Sequence, residues 1–159
     1  METLTTLDRA IRLQEVDLFS ELETDELALV ASIAAQIECQ QGEVLFKKNT
    51  PSNALYVVLS GRIEMSRGGQ PMFTVGADET VGNWAFFDKQ LSVSTATASQ
   101  TSWVLRIEAQ DFFDLLADNT DMTPSVFQAL FKRVRSLLVR RLGEQPAPSA
   151  GPGDDRPAG

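Results

Sequence analysis

The fold is decided by the stretch Leu55-Tyr56-Val57-Val58-Leu59-Ser60-Gly61-Arg62-Ile63. Its apolar run ends at a Ser-Gly pair, which is the pattern of a short buried strand that leads into a tight turn. Similar short runs lie on both sides and are separated by turn residues at close intervals: Val44 to Phe46, Ile63 to Met65, Met72 to Val75 and Trp103 to Ile107. This spacing predicts a meander of short antiparallel strands that closes into a roll or barrel.

Helices are predicted on the N-terminal side of the roll. Thr24 marks the start of one of them, because a side-chain oxygen followed by two carboxylates suits the free amides of a first turn. Two sets of apolar residues recur at helical spacing: Leu4, Leu7 and Ile11, and Leu27, Val30, Ala34 and Ile37. We therefore assign residues 1–39 to N-terminal helices and residues 40–108 to the β-roll.

Helical signals return after the roll. Residues 111–117 form a short amphipathic candidate, and a long helix is bracketed by Thr123 as cap, Pro124 as first helical residue and Gly143 as stop. These helices occupy residues 109–143, so residues 1–143 are predicted to form one domain. From residue 144 onward Pro, Gly, Ala and Asp dominate, which predicts a disordered tail over residues 144–159.

The composition excludes many functions. The chain has 159 residues, of which 43% are hydrophobic and 23% charged, and this suits one globular domain. It has no histidine, which removes Ser-His and Cys-His catalysis and every imidazole-liganded metal site. Its one cysteine, Cys39, is expected to be a small buried apolar residue. We expect no catalytic residue, no metal site and no enzyme activity.

Charge and hydropathy set further expectations. No apolar run approaches the roughly 18 residues that cross a bilayer and no secretory leader is evident, so we expect a cytoplasmic protein. The net charge is −8, yet one stretch between Pro124 and Gly143 has no acidic residue and carries Lys132, Arg133, Arg135, Arg140 and Arg141. These cations either complement the end of a helix dipole or contact anionic lipid or an acidic partner.

Several segments resemble the cyclic-nucleotide-binding domain found in catabolite-activator-type regulators and kinase regulatory subunits. The segment 55–63 is similar to the family's most recognisable stretch, and Gly42 to Phe46 is similar to its first roll strands. The resemblance covers roughly residues 18–138. It implies a mainly β fold, a jelly roll or double-stranded β-helix, with N-terminal helices and a long C-terminal helix.

The resemblance also locates the phosphate-binding cassette, where this chain departs from the family. Gly82 stands at the glycine that opens the cassette helix. Asn83 replaces the glutamate that accepts from the ribose hydroxyl, and Ser92 replaces the arginine that pairs with the phosphate. Losing two charge-assisted hydrogen bonds of about 1.5 to 3 kcal/mol each should weaken binding by roughly 10² to 10⁴. Cyclic AMP and cyclic GMP are therefore disfavoured, and we expect no guanidinium in position to hold an anion.

The cassette remains a candidate site for another small molecule. The residues concerned are Gly82, Asn83, Trp84, Ala85, Ser92, Val93, Ser94 and Thr95. Trp84 and Phe86 could instead fill the pocket, and the hydroxyls of Ser92 and Ser94 are expected to face solvent on a strand. Lys89 could replace the absent arginine, although an exposed lysine is more often simply solvated.

The long helix is the candidate partner surface. Its apolar stripe includes Phe127, Leu130, Phe131, Val134, Leu137 and Leu138. In dimeric members of the family this helix pairs with its twin, so the resemblance implies a homodimer or a complex with a partner protein; the stripe could also dock on the domain's own roll. The Pro- and Gly-rich tail is too short for a helix-turn-helix, so we expect no DNA binding.

Two functions remain open. The first is a non-catalytic regulatory or interaction module that does not bind cyclic nucleotides in the family's standard way. The second is a small-molecule sensor that uses the backbone amides after Gly82 and moves its C-terminal helix on binding.

Overall fold

The computed structural model describes residues 1–82 and 90–143. Residues 83–89 and 144–159 lie outside the described residues. The expectations for Asn83, Trp84, Ala85, Phe86 and Lys89, and the expectation of a disordered tail, therefore lie outside them too.

The described chain contains eight strands in two four-stranded sheets. One sheet has the order β1-β8-β3-β6 and the other β2-β7-β4-β5, and all neighbouring strands are antiparallel. The strands are β1 (Ala34–Cys39), β2 (Val44–Phe46), β3 (Ala54–Ser60), β4 (Ile63–Arg67), β5 (Gln70–Val75), β6 (Thr80–Val81), β7 (Thr95–Ala98) and β8 (Ser102–Glu108). This arrangement confirms the predicted jelly roll.

Strand β3 is buried on both faces, which explains its unbroken apolar sequence. Leu55 and Val57 pack on the helix side of the first sheet, against Leu105 of β8. Tyr56 and Val58 point the other way, into the core between the two sheets. Because successive side chains of a strand alternate between faces, a strand between two cores has no polar face.

Gly61 allows the chain to turn from β3 into β4. Its φ is +94°, and a Cβ at this position would lie 2.7 Å from the backbone Cα of Ser102. The buried Ser102 hydroxyl accepts from the amide of Arg62 at 3.0 Å and donates to the carbonyl of Gln100 at 2.8 Å. Only glycine combines this backbone conformation with this close approach.

The helices cover the outer face of the first sheet. Their buried side chains, among them Leu13, Phe19, Val30, Phe112 and Met122, form one core with β3 and β8. The helices are α1 (Thr6–Gln14), a 3₁₀ turn (Asp17–Phe19), α2 (Thr24–Ser32), α3 (Ala109–Asp118) and α4 (Met122–Gly143). None of them, within the described ranges, has both the length and the apolarity that crossing a membrane requires.

The predicted second helix is too long. It was expected to reach Ile37, but α2 ends at Ser32 and the next residues form β1. All six residues of β1 pair with β8, from Ala34 opposite Ile107 to Cys39 opposite Ser102. The edge of β8 offers these residues backbone partners, and such tertiary pairing overrides a helical spacing of apolar residues. The roll therefore begins at Ala34, and the predicted boundary at residue 40 is wrong.

The buried face of α1 also differs from the prediction. Leu7 and Ile11 are 65% and 54% exposed, whereas Ala10 and Leu13 are buried. A short amphipathic helix buries only one of its faces. In α1 this is the face that carries Leu13, whose side chain is completely buried in the core.

Helix α4 begins at Met122, one residue before the predicted cap at Thr123. Pro124 consequently lies in the first turn and not at the first position. Its missing N–H has no consequence there, since the first four amides of a helix have no acceptor within the helix.

Candidate functional site

Gly82 lies at the end of β6, where the backbone comes close to the start of β3. Its φ is +92°, and a Cβ there would approach the carbonyl oxygen of Ala54 to 2.8 Å and the ring of Phe46 to 3.8 Å. A side chain would collide with backbone, so glycine is needed at this position. The glycine that sequence comparison assigned to the cassette is therefore under a real steric constraint.

A groove of about 400 Å³ opens beside Gly82. This volume lies within the range of about 300 to 1,000 Å³ that is common for small-molecule pockets. Most of its wall is apolar, from Phe46, Met65, Met72, Phe73, Val81, Leu91 and Val93. Its polar lining consists of Arg67, Thr80, Gln90, Ser92, Ser94 and Arg133.

Ser92 and Ser94 do not face solvent, so that expectation is wrong. They are 5% and 7% exposed, and β7 begins only at Thr95. The segment before β7 is held against the turn that contains Asn49, whose amide donates to the Ser92 carbonyl at 2.7 Å, while the Ser92 amide donates to the Thr50 carbonyl at 2.9 Å. These backbone bonds hold Ser92 in the wall of the groove, which Ser94 also lines.

The Ser92 hydroxyl is left without a hydrogen-bond partner in the described part of the chain. An unsatisfied buried polar group costs about 1 to 3 kcal/mol. Ser92 also occupies the position at which the resemblance placed the phosphate-binding arginine. The wall of the groove thus contains a short, uncharged and unpaired donor at that position.

Val93 and Thr95 both form hydrogen bonds with neighbouring strands and turns. Val93 is 67% exposed at the groove, and its carbonyl accepts from Arg67 Nε at 3.2 Å. The Thr95 hydroxyl accepts from the amide of Lys48 at 3.0 Å. The Thr95 hydroxyl therefore holds the segment that contains Lys48, and Thr95 is absent from the groove lining.

Two guanidinium groups border the groove, contrary to the expectation that none does. Arg67 comes from β4 and Arg133 from α4. Within the described residues neither of them makes an ion pair. The sequence does not indicate this pair, because nothing in its linear pattern shows that the end of a strand and a helix 66 residues later line the same groove.

A second cleft, also of about 400 Å³, has an acidic lining. It is bordered by Glu15, Asp17, Asp78 and Glu79, and Arg133 lies on its wall as well as on that of the groove. Asp78 is engaged with α1, since Arg12 Nε lies 3.0 Å from its carboxylate. Arg133 thus separates an acidic cleft from a groove whose charged lining is cationic.

Behind the groove, Phe46 stacks on Tyr56, with ring centroids 6.2 Å apart, and Arg106 lies 6.0 Å from the Tyr56 ring. Burial raises the pKa of the Tyr56 hydroxyl, an effect that Arg106 opposes. Burial also raises the pKa of the Cys39 thiol, and Glu43 and Glu38 add to the shift. Cys39 is buried in the core between the sheets, which confirms its predicted role.

Helix α4 docks through one side of its first half only. Met122, Val126 and Ala129 are buried, and Leu130 packs partly against the same core. The rest of the predicted partner stripe is exposed, namely Phe127, Phe131, Val134, Leu137 and Leu138. Leu130 therefore belongs to the docked face, while the other stripe residues are left exposed in the described part of the chain.

Potential metal ligands do not cluster in the described ranges, where no group of three or more His, Cys, Asp or Glu side chains is arranged to hold an ion.

A family profile described as the cyclic nucleotide-binding domain matches residues 36–119, just over half of the chain. The match spans the roll and α3, including Gly82 and the groove wall from Leu91 to Thr95. The chain belongs to the cyclic nucleotide-binding domain family. Membership shows the regulatory domain family and the fold, and it leaves the ligand to be argued from this chain's own residues.

Several of the curated relatives are much longer proteins. The neuropathy target esterase sws of Drosophila melanogaster is 27% identical over 147 residues, which cover 85% of this chain and 10% of that protein. The chain thus spans about a tenth of the length of the Drosophila relatives that it matches. The glutaminase 2 of Bradyrhizobium diazoefficiens is 22% identical, and the match covers 87% of this chain and 22% of the enzyme.

Solved structures share the fold. The N-terminal domain of a transcriptional regulator from Streptomyces coelicolor A3(2) has a TM-score of 0.74 and 23% identity, and the match covers 79% of this chain and 94% of that one. The regulatory subunit of a cAMP-independent protein kinase A from Trypanosoma brucei has a TM-score of 0.66 and 18% identity, with 72% of this chain and 43% of that one covered.

Proposed function

We propose that this chain is a non-catalytic regulatory module that does not bind cyclic AMP or cyclic GMP in the standard way of its family. The observation that carries the proposal is Ser92, which stands at the arginine position of the cassette, is buried in the groove wall and has no charge. The ribose partner is absent as well, because Asn83 stands at the glutamate position. A cyclic monophosphate placed as in the family would lose both charge-assisted contacts.

The output of the module is helix α4. Phe127, Phe131, Val134 and Leu138 recur at intervals of four, three and four residues, the alternation of the two core positions of a coiled coil. The described structure leaves all four exposed. The helix would bury them against a second copy of itself, and Lys132, Arg133 and Arg140 lie off this seam, where their like charges repel least.

The fold itself does not require a response to cyclic AMP. The same architecture occurs in the trypanosomal regulatory subunit described as belonging to a cAMP-independent kinase. The absence of histidine supports the non-catalytic part of the proposal, since it excludes the common nucleophile–base pairs.

Isothermal titration with cyclic AMP and cyclic GMP tests this proposal. We expect no binding in the micromolar range for the natural chain. The double variant Asn83→Glu with Ser92→Arg should gain affinity, because it restores both charged partners. Micromolar binding by the natural chain would overturn the proposal.

A second candidate function is a sensor of a different small molecule. It is favoured by the groove beside Gly82, whose wall contains the Ser92 hydroxyl, which has no hydrogen-bond partner among the described residues, and the guanidinium groups of Arg67 and Arg133, which form no ion pair with any of those residues. In this role a ligand would act on α4 by binding the form of the helix that suits the occupied groove.

A further inference from the structure

The charged residues that line the groove are both arginines, so the groove favours an anionic ligand. Arg67 and Arg133 contribute guanidinium groups to the groove and, among the described residues, pair with no carboxylate. Arg67 Nε donates to the Val93 carbonyl at 3.2 Å, which places the guanidinium beside the groove wall. A planar guanidinium is well suited to a carboxylate, which can accept two parallel hydrogen bonds from it.

Most of the remaining wall is apolar and suits an apolar part of a ligand. Met65, Met72 and Phe73 border the groove, and both Met72 and Phe73 are about half exposed. A sugar placed against such side chains would leave its hydroxyls without partners, whereas a hydrocarbon or aromatic group would bury their apolar surface. The lining therefore favours an amphipathic molecule over a nucleotide.

Ser92 supplies an independent observation. Its hydroxyl is buried in the groove wall and has no partner in the described residues. A neutral hydroxyl can donate one hydrogen bond to a carboxylate oxygen, while the two arginines supply the positive charge of the groove.

We propose that this groove binds an amphipathic carboxylate, with Arg67 and Arg133 holding the carboxylate and the methionine and phenylalanine side chains holding the apolar body. The inference rests on the sensor function proposed for the same groove. Arg133 belongs to α4 and borders both the groove and the acidic cleft. A carboxylate bound in the groove therefore competes with the carboxylates of the cleft for the guanidinium of Arg133.

Decanoate is the test ligand, and decanol, which has the same chain length without the charge, is its control. In isothermal titration we expect decanoate to bind the natural chain, and Arg67→Gln and Arg133→Gln each to weaken its binding about tenfold or more. Arg140→Gln is the matched control on α4, since Arg140 is exposed and does not border the groove. It should leave decanoate affinity unchanged. Circular dichroism of each variant verifies that it is folded.

Each outcome of these titrations supports or overturns a stated proposal. No decanoate binding, or decanoate binding that neither arginine variant weakens, overturns the inference, as does equally tight binding of decanol. Micromolar binding of cyclic AMP would instead overturn the proposed function. Failure of decanoate with no binding of cyclic nucleotides would leave the regulatory role intact and remove only this ligand class.

Discussion

At the scale of single residues, two glycines are required by the backbone geometry of the fold. At Gly61 and Gly82 a positive φ coincides with a backbone approach under 3 Å, so both positions exclude a side chain. The sequence indicated a turn at Gly61, but its contact with Ser102, 41 residues later, follows from the pairing of β3 with β8. The reason for the glycine thus lies in tertiary packing.

Gly61→Ala should lower the free energy of unfolding by about 2 kcal/mol or more, because it combines a strained φ with a collision at Ser102. Gly69→Ala is the matched control, since Gly69 has a φ of +79° and open space around it, and it should cost only about 1 kcal/mol. Urea unfolding measures both variants. Equal losses would show that backbone strain alone accounts for the glycine.

The thiol of Cys39 and the hydroxyl of Tyr56 predict a loss of stability in alkali. Both pKa values are raised by burial above their ordinary values of 9.0 and 10.0, so the folded state favours the neutral forms. Their contribution is fully present below these values and is lost as the pH rises through the higher folded pKa values.

We therefore expect the urea midpoint of the natural chain to fall as the pH is raised above about 9. The double variant Cys39→Ala with Tyr56→Phe should show a flatter dependence, and each single variant an intermediate one. If the natural chain and the double variant have parallel profiles, the two groups do not titrate as their burial requires.

At the scale of elements, α4 has a buried face and an exposed face. Its buried face, with Val126 and Ala129, attaches the first half to the sheet, and Lys132 Nζ adds a contact of 2.6 Å to Glu21. That ion pair is largely exposed and contributes less than about 1 kcal/mol, so the apolar face carries the docking. The exposed stripe remains available for a second copy.

Phe131→Glu should convert a dimer into a monomer without unfolding the domain, because Phe131 is 69% exposed in the single chain and lies in the proposed seam. Ser136→Glu introduces the same charge on an exposed part of the same helix away from the seam and should leave the dimer intact. Sedimentation velocity measures both. A natural chain that sediments as a monomer at every concentration would contradict the dimer.

At the scale of the whole molecule, two cores share one sheet. The helix-side core and the core between the sheets meet at β3 and β8, whose side chains enter both. Damage to either core should therefore reach the other through these strands, and the domain should unfold as one unit.

Leu105→Ala removes a fully buried side chain of β8 and should cost about 2 to 5 kcal/mol. Leu7→Ala is the matched control, since Leu7 is largely exposed, and should change stability by less than about 0.5 kcal/mol. In a Trp84→Phe background Trp103 is the one remaining tryptophan. Its fluorescence and far-ultraviolet circular dichroism should report the same urea midpoint, and separate midpoints would show that the two cores unfold independently.

The sequence by itself determined the strand runs, the turns, the long helix and the family, because these depend on local periodicity and on motifs such as the segment 55–63. Only the tertiary structure decided that residues 34–39 form a strand, since the free edge of β8 supplied their backbone partners. It likewise brought Arg67 and Arg133 to one groove and buried Ser92 there. Contacts between distant segments are set by how the sheets and helices pack, and local sequence carries no record of that packing.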